Sequence, residues 1–216
     1  MAGATFGVPL NQEIIITMTT TPLNSSLQSQ LKVLETILLK NSALKTILER
    51  TPSLSLPNWY LGAGCIVQTV WNYLSGRDLL AYINDADLVY FDDKDLSSEA
   101  EEHRTGLVRE LFSDVPIPLD VKNQARIHLW YEKHFGYTIQ PYQSVEEAIN
   151  TWPTTATAVA VKYDDNGVFT VYAPYGLNDL FSMIVRPNRL QITEEIYMGK
   201  VNRWKACWPN LKIIPW

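Results

Sequence analysis

Tyr60-Leu61-Gly62-Ala63-Gly64-Cys65, the apolar run behind it over 66–74, and then Asn84-Asp85-Ala86-Asp87-Leu88-Val89-Tyr90-Phe91 form the stretch whose reading decides the fold. A short apolar strand runs into small residues at 62–65, and a helix follows over 66–74, ending at Gly76 as a C-terminal glycine cap would have it. Residues 77–83 form a loop, and 85–91 reads as the next strand, left through a turn at 92–95. The strand period of two points Asp85 and Asp87 to one face. Like charges side by side repel, and a divalent cation supplies a reason for the pair, since hard oxygen ligands suit Mg²⁺. A solvated strand entrance, with Asp87 as a turn residue, accounts for the same letters.

Upstream, Leu27, Leu31, Leu34 and Leu38 recur at helical spacing, and Leu44, Ile47 and Leu48 continue the apolar face. This predicts helices over 26–40 and 42–50, with Ser25 or Ser26 as cap and the leucine stripe in the core. Residues 1–23 read as a flexible leader in which Ile14, Ile15 and Ile16 form a short edge strand or dock on the surface. Downstream, a polar-faced helix over 97–112 opens at Ser97 and Ser98 with acidic residues in its first turns. A strand over 117–121 and a helix over 123–135 follow. Within Pro116-Ile117-Pro118-Leu119-Asp120-Val121-Lys122-Asn123, one aspartate stands in an apolar run. A buried carboxylate is expensive unless paired or metal-bound, so Asp120 calls for a cation. That cation is either a metal shared with Asp85 and Asp87 or a neighbouring Lys or Arg.

Past Gly136 the texture shifts to a helix over 144–151 and a hairpin of strands 156–163 and 168–172 about Asp164-Asp165-Asn166-Gly167. Helices over 176–185 and 194–204 end the pattern. The expected division is a core over 24–136, with 137–216 as an α+β extension that completes the same domain or forms a small second lobe.

Composition bounds the function. In 216 residues, 46% are hydrophobic and 19% charged, an ordinary globular balance. The net charge of −5 argues against a broad, non-specific grip on nucleic acid, which needs many Lys and Arg. Cys65 and Cys207 are the only cysteines, so no disulfide framework or structural zinc site is expected. The start, MAGATFGVPLNQ, carries no secretory signal pattern, and no stretch is long and apolar enough to span a membrane. The sequence reads as soluble and cytoplasmic.

Small residues between a strand and a helix let main-chain N–H groups approach a phosphate at the positive end of the helix dipole, and they serve equally as a tight turn. Taken in order, the small-residue turn and helix, the Asp-x-Asp strand and the Asp-bearing strand resemble the nucleotidyltransferase superfamily that includes DNA polymerase β and the CCA-adding enzymes. A closer resemblance is to a family of bacterial and fungal nucleotidyltransferase-like proteins of unassigned substrate. It rests on WYLGAGCIVQTVWNYL (59–74), INDADLVYFD (83–92), DVKNQARIHLWY (120–131), FGYTIQPYQSVEEAINTWPTTATAV (135–159) and APYGLNDLF (173–181).

The resemblance implies a DNA polymerase β-like nucleotidyltransferase fold, α+β or α/β in class, with a short mixed sheet flanked by helices. It implies transfer of a nucleoside monophosphate from an NTP to an acceptor, a small molecule, a protein or an RNA end, with release of pyrophosphate. Asp85 and Asp87 would hold one or two Mg²⁺ (or Mn²⁺) ions on the triphosphate. Asp120 would complete a second metal site and orient or deprotonate the acceptor hydroxyl. Gly62, Ala63, Gly64 and Cys65 would form the phosphate turn, with Lys122, Asn123 and Arg126 serving the triphosphate or simply ion-pairing a helix start.

Departures from the superfamily pattern are local. The turn is Gly-Ala-Gly-Cys, with no serine hydroxyl, and Val67, Gln68 and Thr69 stand where the CCA-adding enzymes carry an Arg-Asp pair. Trp71, Trp130 and Trp204 read as core, His128 as a packed or capping residue, and the threonines of 154–157 as pocket-lining or strand-opening. Cys65, at a helix N-terminus, is expected to have a depressed thiol pKa. Two other function classes stand beside the enzyme: a catalytically inactive descendant that binds nucleotide or a protein partner, and a nucleic-acid module, which the acidity disfavours.

Overall fold

The computed structural model describes residues 26–164 and 166–216; the expected leader, with Ile14–Ile16, lies outside them. Helix α1 (Leu27–Lys40) starts at Ser26, whose hydroxyl accepts from the Ser29 N–H, and buries Leu34, Ile37 and Leu38 as its leucine spacing requires. Asn41 ends α1 and caps α2 (Ser42–Arg50), its side chain accepting from the Ala43 and Leu44 N–H groups. Its amide also donates to Thr69 Oγ1 (3.0 Å) and the Leu79 carbonyl (3.2 Å), so a single buried asparagine ties this helical pair to two later segments of the chain.

After a 3₁₀ turn (Thr51–Leu54), strand β1 (Tyr60–Gly62) leads directly into α3 (Gly64–Leu74). Next come β2 (Ala86–Tyr90), α4 (Ser98–Leu111) capped by Ser97, and β3 (Leu119–Asn123). Gln124–Arg126 make a 3₁₀ turn into α5 (Ile127–Phe135), which stops at Gly136 in the left-handed region. Helix α6 (Val145–Asn150) precedes β4 (Ala160–Tyr163) and β5 (Phe169–Tyr172). The single turn α7 (Asn178–Phe181), β6 (Ile184–Val185), α8 (Glu194–Cys207) and β7 (Lys212–Ile213) complete the described chain.

Strands β3-β2-β1-β4-β5 form one mixed sheet in that order; β2 and β3 run parallel and the other pairs antiparallel. β4 and β5, from beyond Gly136, therefore extend the sheet begun by β1. Alternation sets its two faces. Leu61, Leu88, Tyr90, Val121 and Val161 enter the main core with the apolar sides of α1, α2 and α3. Tyr60, Val89 and Ala160 face the other way and are covered in part by Val145 and Ile149 of α6.

α8 docks on α3 through aromatic rings. Trp71 meets Trp204 and Trp208 edge-on at 5.8 and 5.5 Å, and Trp208 Nε1 donates to Asn72 Oδ1 at 2.9 Å. Asn72 in turn donates to the Ala81 carbonyl at 2.7 Å, fixing the loop that enters β2.

The expected helix over 176–185 is shortened to one turn. Met183 takes a φ of 54°, and β6 pairs with β7, a partner supplied by the far end of the chain. The third strand is displaced from 117–121 to Leu119–Asn123, because Pro116 and Pro118 have no N–H to give a ladder. The threonines at 154 and 157 are buried in a turn before β4, where they hydrogen-bond each other at 2.8 Å. Among the described residues no helix is long and apolar enough to cross a membrane.

Asn72→Ala strands the buried Trp208 Nε1–H and the Ala81 carbonyl, and is expected to cost about 2–3 kcal/mol of unfolding free energy. Urea denaturation checks this; a loss near zero would show that water replaces the amide.

Candidate active site

Gly62 is the Cα partner of Asp87 in β2 and of Ala160 in β4, and Asp87 is in turn the partner of Asp120 in β3. Residues opposite one another across a sheet project to the same face. Asp87 and Asp120 therefore stand side by side on the face turned away from the main core, and Lys122 lies two residues along on the same face. At Gly62 the reason for glycine is steric: an added Cβ would lie 2.5 Å from Trp152 Cη2 and 3.0 Å from Ala160 Cβ. The indole of Trp152 thus covers the middle of the sheet next to the carboxylates.

Ala63 turns the chain out of β1 with φ 55° and ψ −127°, a conformation that suits glycine and costs other residues on the order of 1–3 kcal/mol. Its N–H donates to the Val159 carbonyl at 3.0 Å, which holds the turn. No side chain caps α3, so its first main-chain N–H groups open beside Gly62 and Asp87. A Cβ at Gly64 would meet only the flexible Gln68 amide, at 3.3 Å.

Cys65 overturns its expectation. Its side chain is fully buried and its thiol donates to the Gly62 carbonyl at 3.3 Å. Burial pushes the thiol pKa up, and the charge of Asp87 pushes the same way, against which a helix end is too weak. Cys65 is a core residue that braces the turn.

The three aspartates feel one another. Asp87 is pushed up to about 7, first by burial, then by Asp85 and then by Asp120, while Lys200 and Lys122 pull the other way. Among the described residues its carboxylate has neither a hydrogen bond nor an ion pair. Asp85 is exposed just ahead of β2. Asp120 accepts from Lys122, Oδ1 to Nζ, at 2.6 Å.

Asn123 and Arg126 are not brought to this cluster. Asn123 is one residue out of phase with Lys122 and buried; its Oδ1 accepts from the Asp92 and Ala125 N–H groups, and its amide donates to the Asp92 carbonyl. Arg126 is buried beyond the strand end, donating to the Leu96 carbonyl and ion-paired with Glu101. Both build the loop that leaves β2.

The residue that sequence reading missed is Lys200. It sits on α8, partly buried, and is coupled electrostatically to both Asp87 and Asp85. The one local signal is its helical spacing from the inward-facing Tyr197 and Trp204.

Among the described residues no three His, Cys, Asp or Glu groups stand at ligating distance about one point. Mg²⁺, however, is commonly held by one or two carboxylates together with water and substrate phosphates. Asp87, burdened by neighbouring negative charge and without a partner, fits that donor chemistry, with Asp85 as the second oxygen donor.

A mixed sheet with this helical arrangement occurs in an NMR structure described as revealing a CCA-adding enzyme head domain. The two align with a TM-score of 0.70 at 27% identity, over 90% of this chain and 100% of that one. A tRNA nucleotidyltransferase crystallised with a primer tRNA and an incoming ATP analogue aligns with a TM-score of 0.45 at 14% identity, over 78% of this chain and 46% of that one. An apo form of a tRNA-processing enzyme aligns at 0.44 and 18%, over 78% and 44%. The nucleotidyltransferase family model matches residues 49–213, and the chain belongs to that family of nucleotidyl-transferring enzymes. No curated protein was found to match the sequence.

Two turn variants separate sterics from strain. Gly62→Ala meets the Trp152 ring and is expected to destabilise by about 1–3 kcal/mol, whereas Ala63→Gly relieves its backbone and stabilises by about 1 kcal/mol. Thermal unfolding reads both, and opposite signs are the decisive outcome.

Asp87 also gives a pH dependence. Its folded pKa, about 7, lies above the ordinary carboxylate value, so the folded, metal-free protein holds this proton more tightly than the unfolded chain. Stability contributed here is lost as pH rises from about 4 through about 7. In EDTA, Asp87→Asn is expected to be more stable than the natural protein near pH 8 by roughly 1–2 kcal/mol, and nearly equal to it near pH 4. The same difference at both pH values in urea melts would overturn the account.

Proposed function

We propose that this chain transfers a nucleoside monophosphate from an NTP to an acceptor hydroxyl and releases pyrophosphate. The observation that carries the reading is the register of Asp87 with Asp120, beside the uncapped start of α3, in a chain of the nucleotidyltransferase family. The acceptor oxygen attacks the α-phosphorus as the bond from that phosphorus to the α,β-bridging oxygen breaks. Pyrophosphate leaves with the electron pair, and the hydroxyl proton passes to Asp120.

On this reading Asp85 and Asp87 would hold Mg²⁺ or Mn²⁺, Asp120 would complete the carboxylate set, and Lys122 would serve a phosphate oxygen. The bound cation supplies neutralisation of phosphate charge and polarisation of the α-phosphoryl oxygen. Little covalent work falls to the protein, so positioning dominates. Main-chain N–H groups at the start of α3 face the triphosphate in place of the missing serine hydroxyl.

An RNA end is one acceptor suggested by the CCA-adding head domain. The net charge of −5 and Val67-Gln68-Thr69 in place of an Arg-Asp pair favour instead a hydroxyl on a small molecule or a protein. The reading carries a cytoplasmic location with it, where NTPs are supplied.

Calorimetry with ATP, GTP, CTP and UTP in Mg²⁺, then in EDTA, tests the proposal. Metal-dependent binding of at least one nucleotide is expected, with a loss of at least about tenfold in affinity for Asp87→Asn. Undiminished binding in the variant would remove Asp87 from the site. No binding by the natural protein would turn the reading to an inactive, partner-binding descendant of the fold.

A further inference from the structure

A cavity of about 480 Å³ opens between the end of β2 and one side of α4, where Ala100, Arg104 and Leu107 recur at helical spacing. Tyr90 and Asp92 line it from the sheet, and Asp95 from the loop that follows. Tyr90 belongs to the core face and stands three residues along β2 from Asp87, about 10 Å at the rise of a strand. The cavity is therefore separate from the carboxylate cluster. Tyr90 is only 1% exposed, yet its hydroxyl has no hydrogen-bond partner among the described residues. An unmatched buried hydroxyl is costly. Burial pushes its pKa up to about 12, which keeps it an O–H donor. The Arg104 guanidinium lies over the same ring, 5.5 Å from its centroid, and makes one hydrogen bond, to Asp92 Oδ2 at 2.9 Å. Its other N–H groups are unmatched among the described residues. Asp95 accepts from the Ser97 N–H at 2.9 Å and forms no ion pair among them.

We propose that this cavity binds a free α-amino acid with an apolar side chain, its carboxylate held by the Tyr90 hydroxyl and Arg104 and its ammonium facing Asp95. Two sets of donors that line one space call for an acceptor, and a planar carboxylate suits a guanidinium fork. The charge around them disfavours a polyanion such as a nucleotide, because Asp92 already balances Arg104 and Asp95 adds a negative charge. A cation on the same ligand answers that charge. A zwitterion thus satisfies both ends of the cavity, where a simple acid or amine satisfies one. Ala100 and Leu107 give the ligand's side chain an apolar wall, and Leu107 stands 41% exposed in its absence. None of these side chains belongs to the carboxylate cluster, so the site stands or falls apart from the nucleotidyl-transfer reading.

The experiment titrates L-leucine and L-phenylalanine into the full chain by calorimetry, beside isocaproate, which lacks the ammonium, and isoamylamine, which lacks the carboxylate. It is repeated on Tyr90→Phe and Asp95→Asn. The natural protein should bind at least one of the amino acids, and bind it at least about tenfold more tightly than either stripped probe. Tyr90→Phe should weaken the amino acid at least about fivefold with unchanged thermal unfolding, since the lost hydroxyl holds nothing in the protein itself. Asp95→Asn should weaken the amino acid and leave isocaproate as it was. Isocaproate bound as tightly as the amino acid overturns the zwitterion, and undiminished binding in Tyr90→Phe overturns the carboxylate's place. If the natural protein binds neither amino acid, the proposal fails outright.

Discussion

The three residues of β1 are hydrogen-bonded on both edges and buried on both faces, and the rest of the fold takes its positions from them. Leu61 fills the main core, while Gly62, one residue on, must present nothing at all because Trp152 lies against it. The strand cannot continue, since Ala63 bends the chain at once into α3. This abrupt change explains why the helix N-terminus and Asp87 share a neighbourhood: both are set by the residue at which β1 stops. Strand, turn and helix leave little slack in which a side chain could be added without moving the carboxylates.

The electrostatics derive from this crowding. Asp87 is held between a covered glycine and two other aspartates, where its ionised form is disfavoured. Lys122 relieves Asp120 directly, and Lys200 acts on Asp87 only at a distance. Such local instability persists in folded proteins where a site is organised for a ligand rather than for the empty state. The strained φ at Ala63 belongs to the same pattern, lying within the turn that α3 grows from.

Much of this was legible in the letters. Leucine spacing gave α1 and α2, and Ser97 with Ser98 and the acidic first turns marked α4, because these signals are local in the chain. Asp-x-Asp marked β2 and its polar face for the same reason. Register was not legible: nothing in residues 85–87 or 120 says that their strands run parallel with Asp87 opposite Asp120. Nearness in sequence misled at Asn123, since one step along a strand reverses the face, and at Arg126, which lies past the strand end. For Cys65 the helix-end argument was sound in sign but lost to burial, a tertiary quantity. Trp152, β6 with β7, and Lys200 all depend on contacts between distant segments.

The charge at the site also constrains the order in which ligands can gather, on the nucleotidyl-transfer reading. Asp120 engages Lys122 at 2.6 Å, so little of the positive charge on the empty face is free to receive a bare triphosphate. A lone divalent ion meets the opposite difficulty: Asp120 is engaged with Lys122, and Asp87 tends to keep a proton near neutral pH. Each ligand removes the obstacle to the other, because the cation offsets the phosphate charge and the phosphates supply the oxygens that the carboxylates do not. Entry as a preformed metal–nucleotide pair satisfies both at once.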